Sequence, residues 1–363
     1  MRLISMSYIN VPEFNEPFKW VYRIRGYVGV LDSLAKSNDV ISIDQINYSG
    51  VHFVNGVQHY FFNNGKRVTY FPRRLHKLLR EWKPDVVIVH GMHFPLQIIQ
   101  LRLYLGKDVK IIVQNHADRI PRFHKKLFLK VADKFIDAYF FTSGIMAKEW
   151  IGQGLINKEE KVKEIMMGSS VFEPMDRYEA MQKTRVEETR NFLWVGRLDA
   201  NKDPVTLVKA FIDFSESHAN AKLYVIYQSN ELLNEIKDLI HNSGNRAVQL
   251  VGKVAHDDIQ LWINSVDYII STSHYEAFGL SIVEAMSCGC IPIVTNIPSF
   301  QKITGLSSGI LFEPGNVNDL VCALKEVINK DIVQERERTL QQFNNHLSFD
   351  AIANSITVAV QSL

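Results

Sequence analysis

Two glutamates, Glu276 and Glu284, stand eight residues apart in SHYEAFGLSIVEAMSCGCIPIV, 273–294. The segment reads as the end of a strand, a turn of Ala277, Phe278, Gly279 and Leu280, and then a helix. Gly279 permits close backbone approach. The free N–H groups at the helix start, aided by the helix dipole, form a seat for an anion such as a diphosphate. Carboxylates facing that seat would repel its occupant. They make sense pointing past it, accepting hydrogen bonds from hydroxyls on either flank. A nucleotide-diphosphate sugar has such hydroxyls, a ribose on one side and a hexose on the other. A second segment, NFLWVGRLDANKDP at 191–204, runs from a strand through Gly196 to Arg197 and Lys202 near a helix start. Two cations at the carboxyl edge of a sheet suit a leaving diphosphate, because they offset charge that develops as the sugar bond breaks. The strand-end loop VGKV, 251–254, with Lys253 and Val254, offers backbone groups that could cradle a base.

The elements that would position these residues follow a regular alternation. In the first half RLISMSYI, VISIDQI, DVVIVH, IIVQNH and DAYFFTS read as strands. Tyr27 to Lys36, RRLHKLLREW and KKLFLKVADKF read as helices between them. In the second half NFLWVG, KLYVIY, VQLVG, YIISTS and IPIVT are the strands. PVTLVKAFIDF, ELLNEIKDLI, DIQLWINS, SIVEAMSCG and DLVCALKEVIN are the helices. Strands rich in β-branched residues and separated by helices indicate parallel βαβ units. The expected fold class is α/β, with two Rossmann-like domains facing a central cleft. Ligands in such folds sit at the carboxyl ends of the strands. The expected division is residues 1–170 and 171–363, with the last helix packing back on the first domain as an option.

Composition agrees with a globular protein and separates the halves. The chain has 363 residues, 46 % hydrophobic and 22 % charged. Residues 1–170 hold 25 Lys and Arg against 15 Asp and Glu; residues 171–363 hold 16 against 24. Opposite signs suit domains with different partners. The three cysteines, Cys288, Cys290 and Cys322, form no disulfide framework and fit a reducing compartment. The N-terminus does not read as a signal peptide, and no apolar run approaches a membrane span. A cytoplasmic protein is expected, free or peripheral at the inner membrane face.

The order VGRLDANKDP, VGKV, EAFGLSIVEAMSCG, preceded by EIMMGSSVFEP, resembles the donor half of the retaining glycosyltransferases of the GT-B fold, family 4 (glycosyl transferases group 1) type. The resemblance covers roughly 160–320 well and the first half mainly in pattern. It implies that the second domain binds the nucleotide-diphosphate sugar and the first binds the acceptor, a glycan, a lipid-linked glycan or a small molecule. It implies further that Arg197 and Lys202 contact the diphosphate, Glu284 holds the ribose hydroxyls and the backbone from Phe278 to Leu280 binds phosphate. Glu276 would touch the donor sugar nearest the reacting carbon. The transfer it implies proceeds with retention, by a front-face route in which the leaving phosphate helps deprotonate the acceptor. The product expected is a surface polysaccharide or related glycan.

No Asp-x-Asp and no HExxH occurs. Cationic side chains and a helix dipole can neutralise a diphosphate instead, so no essential metal and no cofactor is expected. In QNHADRI, 114–120, His116 falls where the family places a histidine near the donor sugar; a loop histidine bonded to backbone is an equal reading. His90 and His93 read as structural. Residues 118–130 concentrate Arg119, Arg122, Lys125, Lys126 and Lys130 among Phe123, Leu127, Phe128 and Leu129. An ordinary solvated helix with a buried stripe is the first reading, an anionic membrane surface the second. Nucleic acid is not expected as a partner, because no binding motif accompanies the charge.

The resemblance frays at two points. Many relatives carry a Gly-Gly loop after the first strand, where this chain has INVPEFNEPFKW; and in KLYVIYQSN, 222–230, Tyr227 and Gln228 stand where a glycine is often found at the strand end. Two other readings compete: a nucleotide-sugar epimerase of similar design, and a catalytically silent subunit that keeps the fold. A dinucleotide oxidoreductase is disfavoured, since no GxGxxG appears.

Overall fold

The computed structural model describes residues 1–63, 71–116, 118, 120–121, 123–305 and 307–363. Arg119 and Arg122 of the basic stretch lie outside the described residues. The chain forms two compact units, one of Met1–Ser169 with Phe349–Leu363, the other of Ser170–Ser348.

The first unit is built on an eight-stranded sheet of order β3-β4-β2-β1-β5-β6-β7-β8. Its strands are β1 Arg2–Val11, β2 Asp39–Ile46, β3 Gly50–Val54, β4 Val57–Phe62, β5 Val86–His90, β6 Lys110–Gln114, β7 Ala138–Phe141 and β8 Val162–Glu164. All neighbours are parallel except β3 and β4. That antiparallel pair departs from the uniform βα alternation expected. Its cause is local. Asn55 and Gly56 both adopt positive φ, 48° and 85°, as a two-residue hairpin turn demands. Val54 and Val57 close the register around them.

Central strands of this sheet are covered on both faces, so they read as unbroken apolar runs rather than alternations. Leu3, Ile4, Val87, Ile88, Val89, Ile111 and Ile112 have no exposed surface. The helix Phe349–Gln361 packs on the helix Arg25–Ala35. Gly29 makes this possible, since a Cβ there would stand 2.6 Å from the Phe349 ring. Asp350 accepts from Ser33 Oγ at 2.7 Å and from Lys36 Nζ at 2.6 Å. Lys110 Nζ donates to the Leu363 carbonyl at 2.8 Å.

The second unit carries a six-stranded, wholly parallel sheet of order β11-β10-β9-β12-β13-β14. Its strands are β9 Arg190–Gly196, β10 Ala221–Tyr227, β11 Val248–Gly252, β12 Tyr268–Ser271, β13 Ile291–Thr295 and β14 Ile310–Phe312. β9 and β12 are adjacent although three helices and two strands separate them in sequence, and this adjacency brings the two chemistry-bearing segments to one sheet edge. The core is aromatic at this point: Phe192 stacks on Tyr268 at 4.7 Å and meets Phe211 and Phe214 edge-on. Asp267, 5 % exposed, receives Arg177 at 2.8 Å and Arg336 at 3.5 Å. Cys288 and Cys290 are buried, and burial raises both thiols, that of Cys288 to about 11. Neither is a nucleophile at neutral pH. Among the described residues no helix is long and apolar enough to cross a membrane.

Candidate functional site

The second unit gathers the sequence candidates at the carboxyl ends of β9, β11 and β12. Gly196 closes β9; a Cβ on it would lie 2.8 Å from the Trp194 ring, so its smallness answers a core residue. Arg197 follows, two-thirds exposed, with one guanidinium nitrogen 3.1 Å from Asp199 Oδ2. The loop then doubles back. Asp199 Oδ1 accepts from the Lys202 N–H at 2.9 Å, and Asp203, at φ 44°, caps the helix Pro204–Ser217 by accepting from Thr206 N–H. That loop is stitched to the segment after β12. Thr272 Oγ1 donates to the Lys202 carbonyl at 2.7 Å, the His274 N–H donates to the Asn201 carbonyl at 2.8 Å, and Asn201 Nδ2 donates to the Tyr275 carbonyl at 3.0 Å. Three cross-loop bonds fix the backbone at Asn201 and Lys202, and the Lys202 ammonium makes a short ion pair with Glu276 Oε1. Both side chains are largely covered, at 20 % and 16 % exposure. An ammonium has three donors, so two remain for a further acceptor.

Glu276 is followed by Ala277 and Phe278, both half-buried, and by Gly279, the N-cap of the helix Leu280–Ser287 at φ 71°, ψ 53°. Gly279 is required twice over. Its backbone is left-handed, and a Cβ would stand 2.4 Å from the Phe300 ring. The first intrahelical bonds come from Ile282 and Val283 to the Gly279 carbonyl. The N–H groups of Leu280 and Ser281 therefore lack intrahelical acceptors, as at any helix start. One turn in, Glu284 is 5 % exposed, and its Oε1 lies 2.8 Å from His256 Nε2. His256 follows β11 just beyond Lys253, which is exposed, and Val254, which is half-buried. Phe172 packs beside the His256 ring at 5.3 Å. The structure thus joins the 251–254 loop to Glu284 through a histidine that the spacing of motifs did not single out. A lone histidine in KVAHDD has no periodic or motif context that would have marked it.

The first unit places its own cluster at the carboxyl ends of β1, β2, β5 and β6. His116 Nε2 lies 2.9 Å from His90 Nδ1, His90 Nε2 lies 2.8 Å from Ser5 Oγ, and Ser5 Oγ lies 3.1 Å from Tyr27 Oη. Asp118 steadies the loop: its Oδ2 accepts from the N–H of Met92 at 2.9 Å and of His116 at 3.1 Å, while Oδ1 meets His93 Nε2 at 3.1 Å. His93 thus has a structural role, and His116 is bonded to a side chain rather than only to backbone. Burial holds His90 well below the usual histidine range, with the neighbouring His116 pushing the same way. Desolvation lowers His116 too, against the opposing pull of Asp118, although its outer edge is exposed.

Ser5, Tyr27, His90 and His116 wall a cavity of about 160 Å³, completed by Met6, Ser7, Trp20, Ile24, Ser42, Ile43 and Asp44. Asp44, 8 % exposed, is raised by burial; Ser42 Oγ donates to it at 3.0 Å and opposes the rise. The Trp20 indole opposes it as well. In the basic stretch, Leu127 and Phe128 are exposed, Leu129 is buried, and Lys126 Nζ donates to Gln153 at 2.6 Å.

Comparison with known proteins is consistent with this geometry. The family model "Glycosyl transferases group 1" matches residues 176–344, and "Glycosyltransferase Family 4" matches residues 34–164. The phosphatidylinositol N-acetylglucosaminyltransferase GPI3 subunit of Saccharomyces cerevisiae (strain YJM789) is 23 % identical over 180 residues, 50 % of this chain and 39 % of that protein. The chain thus matches well under half the length of this curated relative. Among solved structures, a glycosyltransferase from Rickettsia africae ESF-5 superposes with TM-score 0.75 at 18 % identity, over 99 % of this chain and 98 % of its own. Anabaena Alr3699/HepE in complex with UDP superposes with TM-score 0.74 at 16 % identity over the whole of both chains. Its complex with UDP-glucose does so with TM-score 0.69 at 15 % identity, again over the whole of both. The fold shared with these structures is that of two parallel-sheet domains.

Proposed function

The chain belongs to the glycosyl transferases of group 1, family 4 type, and from that premise we propose that it moves a hexose from a nucleotide-diphosphate sugar to a glycan, lipid-linked glycan or small-molecule acceptor, with retention and without an essential metal. The observation that carries this reading is the ion pair of Lys202 with Glu276 beside the start of the helix Leu280–Ser287. A cation, a carboxylate and unsatisfied N–H groups meet within one stretch of sheet edge. The N–H groups and Lys202 take the diphosphate, and Arg197, free to swing at two-thirds exposure, closes on it from the other side. Glu276 then accepts from a hydroxyl of the donor sugar. Glu284 accepts from the ribose, with His256 holding its second face. Lys253 and Val254 lie beside the base. The Anabaena neighbour that holds UDP and UDP-glucose supports a nucleotide sugar as the ligand of this fold.

As the sugar bond breaks, negative charge grows on the diphosphate oxygens. Fixed donors already aimed at that position stabilise it with no reorganisation. A divalent metal does the same work where carboxylate pairs recruit one, and here the donors are cations. Turnover in excess chelator is therefore expected to equal turnover without it, and complete loss would refute metal independence. His116, in the first unit, would contact the transferred sugar. The first unit is proposed to bind the acceptor and the protein to act in the cytoplasm, in the synthesis of a surface polysaccharide.

Titration calorimetry tests the ribose assignment. Glu284→Ala is expected to weaken nucleoside diphosphate binding by about 1–3 kcal/mol, the usual cost of removing a partner from a buried polar group. Equal affinity in the variant and the parent protein would dismiss that role.

A further inference from the structure

The loop after β9 holds one residue in a backbone conformation that both its own type and its neighbour disfavour. Asp203 adopts φ 44°, ψ 58°. Left-handed backbone is costly for a residue with a Cβ, and the residue before a proline is pushed towards extended conformations. Glycine would take this conformation without strain, so a carboxylate at this position calls for a reason. One of its oxygens is accounted for: Oδ1 accepts from the Thr206 N–H at 3.1 Å and caps the helix Pro204–Ser217. An ordinary N-cap performs that task from extended backbone. The other oxygen, Oδ2, lies 3.2 Å from His274 Nε2.

His274 follows β12 and grips the same loop at a second point, since its N–H donates to the Asn201 carbonyl at 2.8 Å. Room for its ring comes from Gly315, after β14, where a Cβ would stand 3.3 Å from His274 Cε1. Two side-chain contacts therefore run side by side between the same two segments, Lys202 with Glu276 and Asp203 with His274. An arriving diphosphate treats them differently. It competes with Glu276 for the Lys202 ammonium, and an ammonium on a flexible four-carbon stem does not keep its place by itself. Asp203, an anion, gives the diphosphate nothing to displace.

We propose that His274 is a positioning residue for the transfer: by holding Asp203 in its left-handed conformation it fixes where the adjacent Lys202 presents its ammonium as the diphosphate leaves. The inference rests on the roles proposed for Lys202 and Glu276 and adds a residue that acts through Lys202. The pair is partly open to water, with the His274 side chain 46 % and that of Asp203 15 % exposed. A contact of that kind adds little to global stability, so its effect falls on the rate.

The test uses the full chain and a panel of UDP-, GDP- and ADP-linked hexoses, with release of the nucleoside diphosphate, water serving as acceptor, as the readout. On a donor that the parent protein turns over, His274→Ala is expected to lower kcat by about 10- to 100-fold, the cost of displacing a catalytic group by roughly an ångström. KM and the calorimetric affinity for the matching nucleoside diphosphate should stay within about threefold, because the loss falls where charge is still growing. The melting temperature should move by no more than about 3 °C. His274→Gln, which keeps a donor near the Nε2 position, should recover most of the rate. Asp203→Gly accepts the left-handed backbone without the carboxylate. In that background His274→Ala should cost less than about a further twofold, because the contact is already gone. An undiminished kcat in His274→Ala, a rate lost only in step with melting temperature, or fully additive effects in the double variant would each overturn the proposal. If Asp203→Gly does not fold, His274→Ala and His274→Gln still decide. Nucleoside diphosphate binding and donor turnover that are indifferent to His274 refute this inference alone. A parent protein that shows neither refutes the transferase reading beneath it, and this role with it.

Discussion

Lys202→Ala is expected to lower turnover by about 100- to 1000-fold, the range seen when a preorganised charge-stabilising donor is removed. The size of the effect follows from how little of this lysine is left to chance. Its carbonyl is held by Thr272, its N–H by Asp199 and its ammonium by Glu276. The substitution removes a donor to the leaving diphosphate and strips Glu276 of its counter-charge in a largely covered position. Nucleoside diphosphate affinity should fall far less than turnover, because the donor matters most where charge is still growing. Steady-state kinetics beside calorimetry reads the split, and a variant keeping a third of the parental turnover would remove Lys202 from the chemistry. Lys202→Arg should recover only part of the rate, since a planar fork does not reproduce the compact ammonium.

The second large effect concerns acid. His59 and His76 have no exposed surface, and burial lowers both to about 4 from 6.5. Neither His59 ring nitrogen has a hydrogen-bond partner, whereas His76 keeps one bond, to Tyr8 Oη at 2.8 Å. Between pH 6.5 and 4 the unfolded chain therefore binds two protons that the folded first unit refuses. The stability these rings permit is complete above pH 6.5 and declines as pH falls, by about 2 kcal/mol for each ring at pH 5. Asp32 and Asp44 act in the opposite sense, because burial raises them and the folded unit then holds the extra proton. His59→Phe isolates one histidine from that balance. Calorimetry of the intact variant and parent at pH 7 and pH 5 should show the variant losing about 2 kcal/mol less on acidification. Equal losses would mean that His59 is already protonated, or solvated, in the folded unit.

Much of this arrangement was legible in the residue order. Strands such as DVVIVH and YIISTS could be read because a parallel strand covered on both faces must be continuously apolar. The pairing of Glu276 with Lys202 was not written in either segment. It depends on β9 lying next to β12, a fact of sheet order rather than of spacing. The β3–β4 hairpin is signalled by Asn55-Gly56 alone, two residues set within a much longer βα rhythm. His256 and Trp20 were invisible for a different reason. Each acquires its meaning from a partner brought near by folding, Glu284 in one case and Asp44 in the other.

The membership of the helix Phe349–Gln361 in the first unit bears on how the protein is made. On the ribosome the eight-stranded sheet emerges early, yet the helix that covers Gly29 and its neighbours is synthesised only after the whole of 170–348. During that interval the second unit can fold as an uninterrupted segment, while the first must wait with an apolar helix face bare. The half synthesised first is then the half whose packing is completed last.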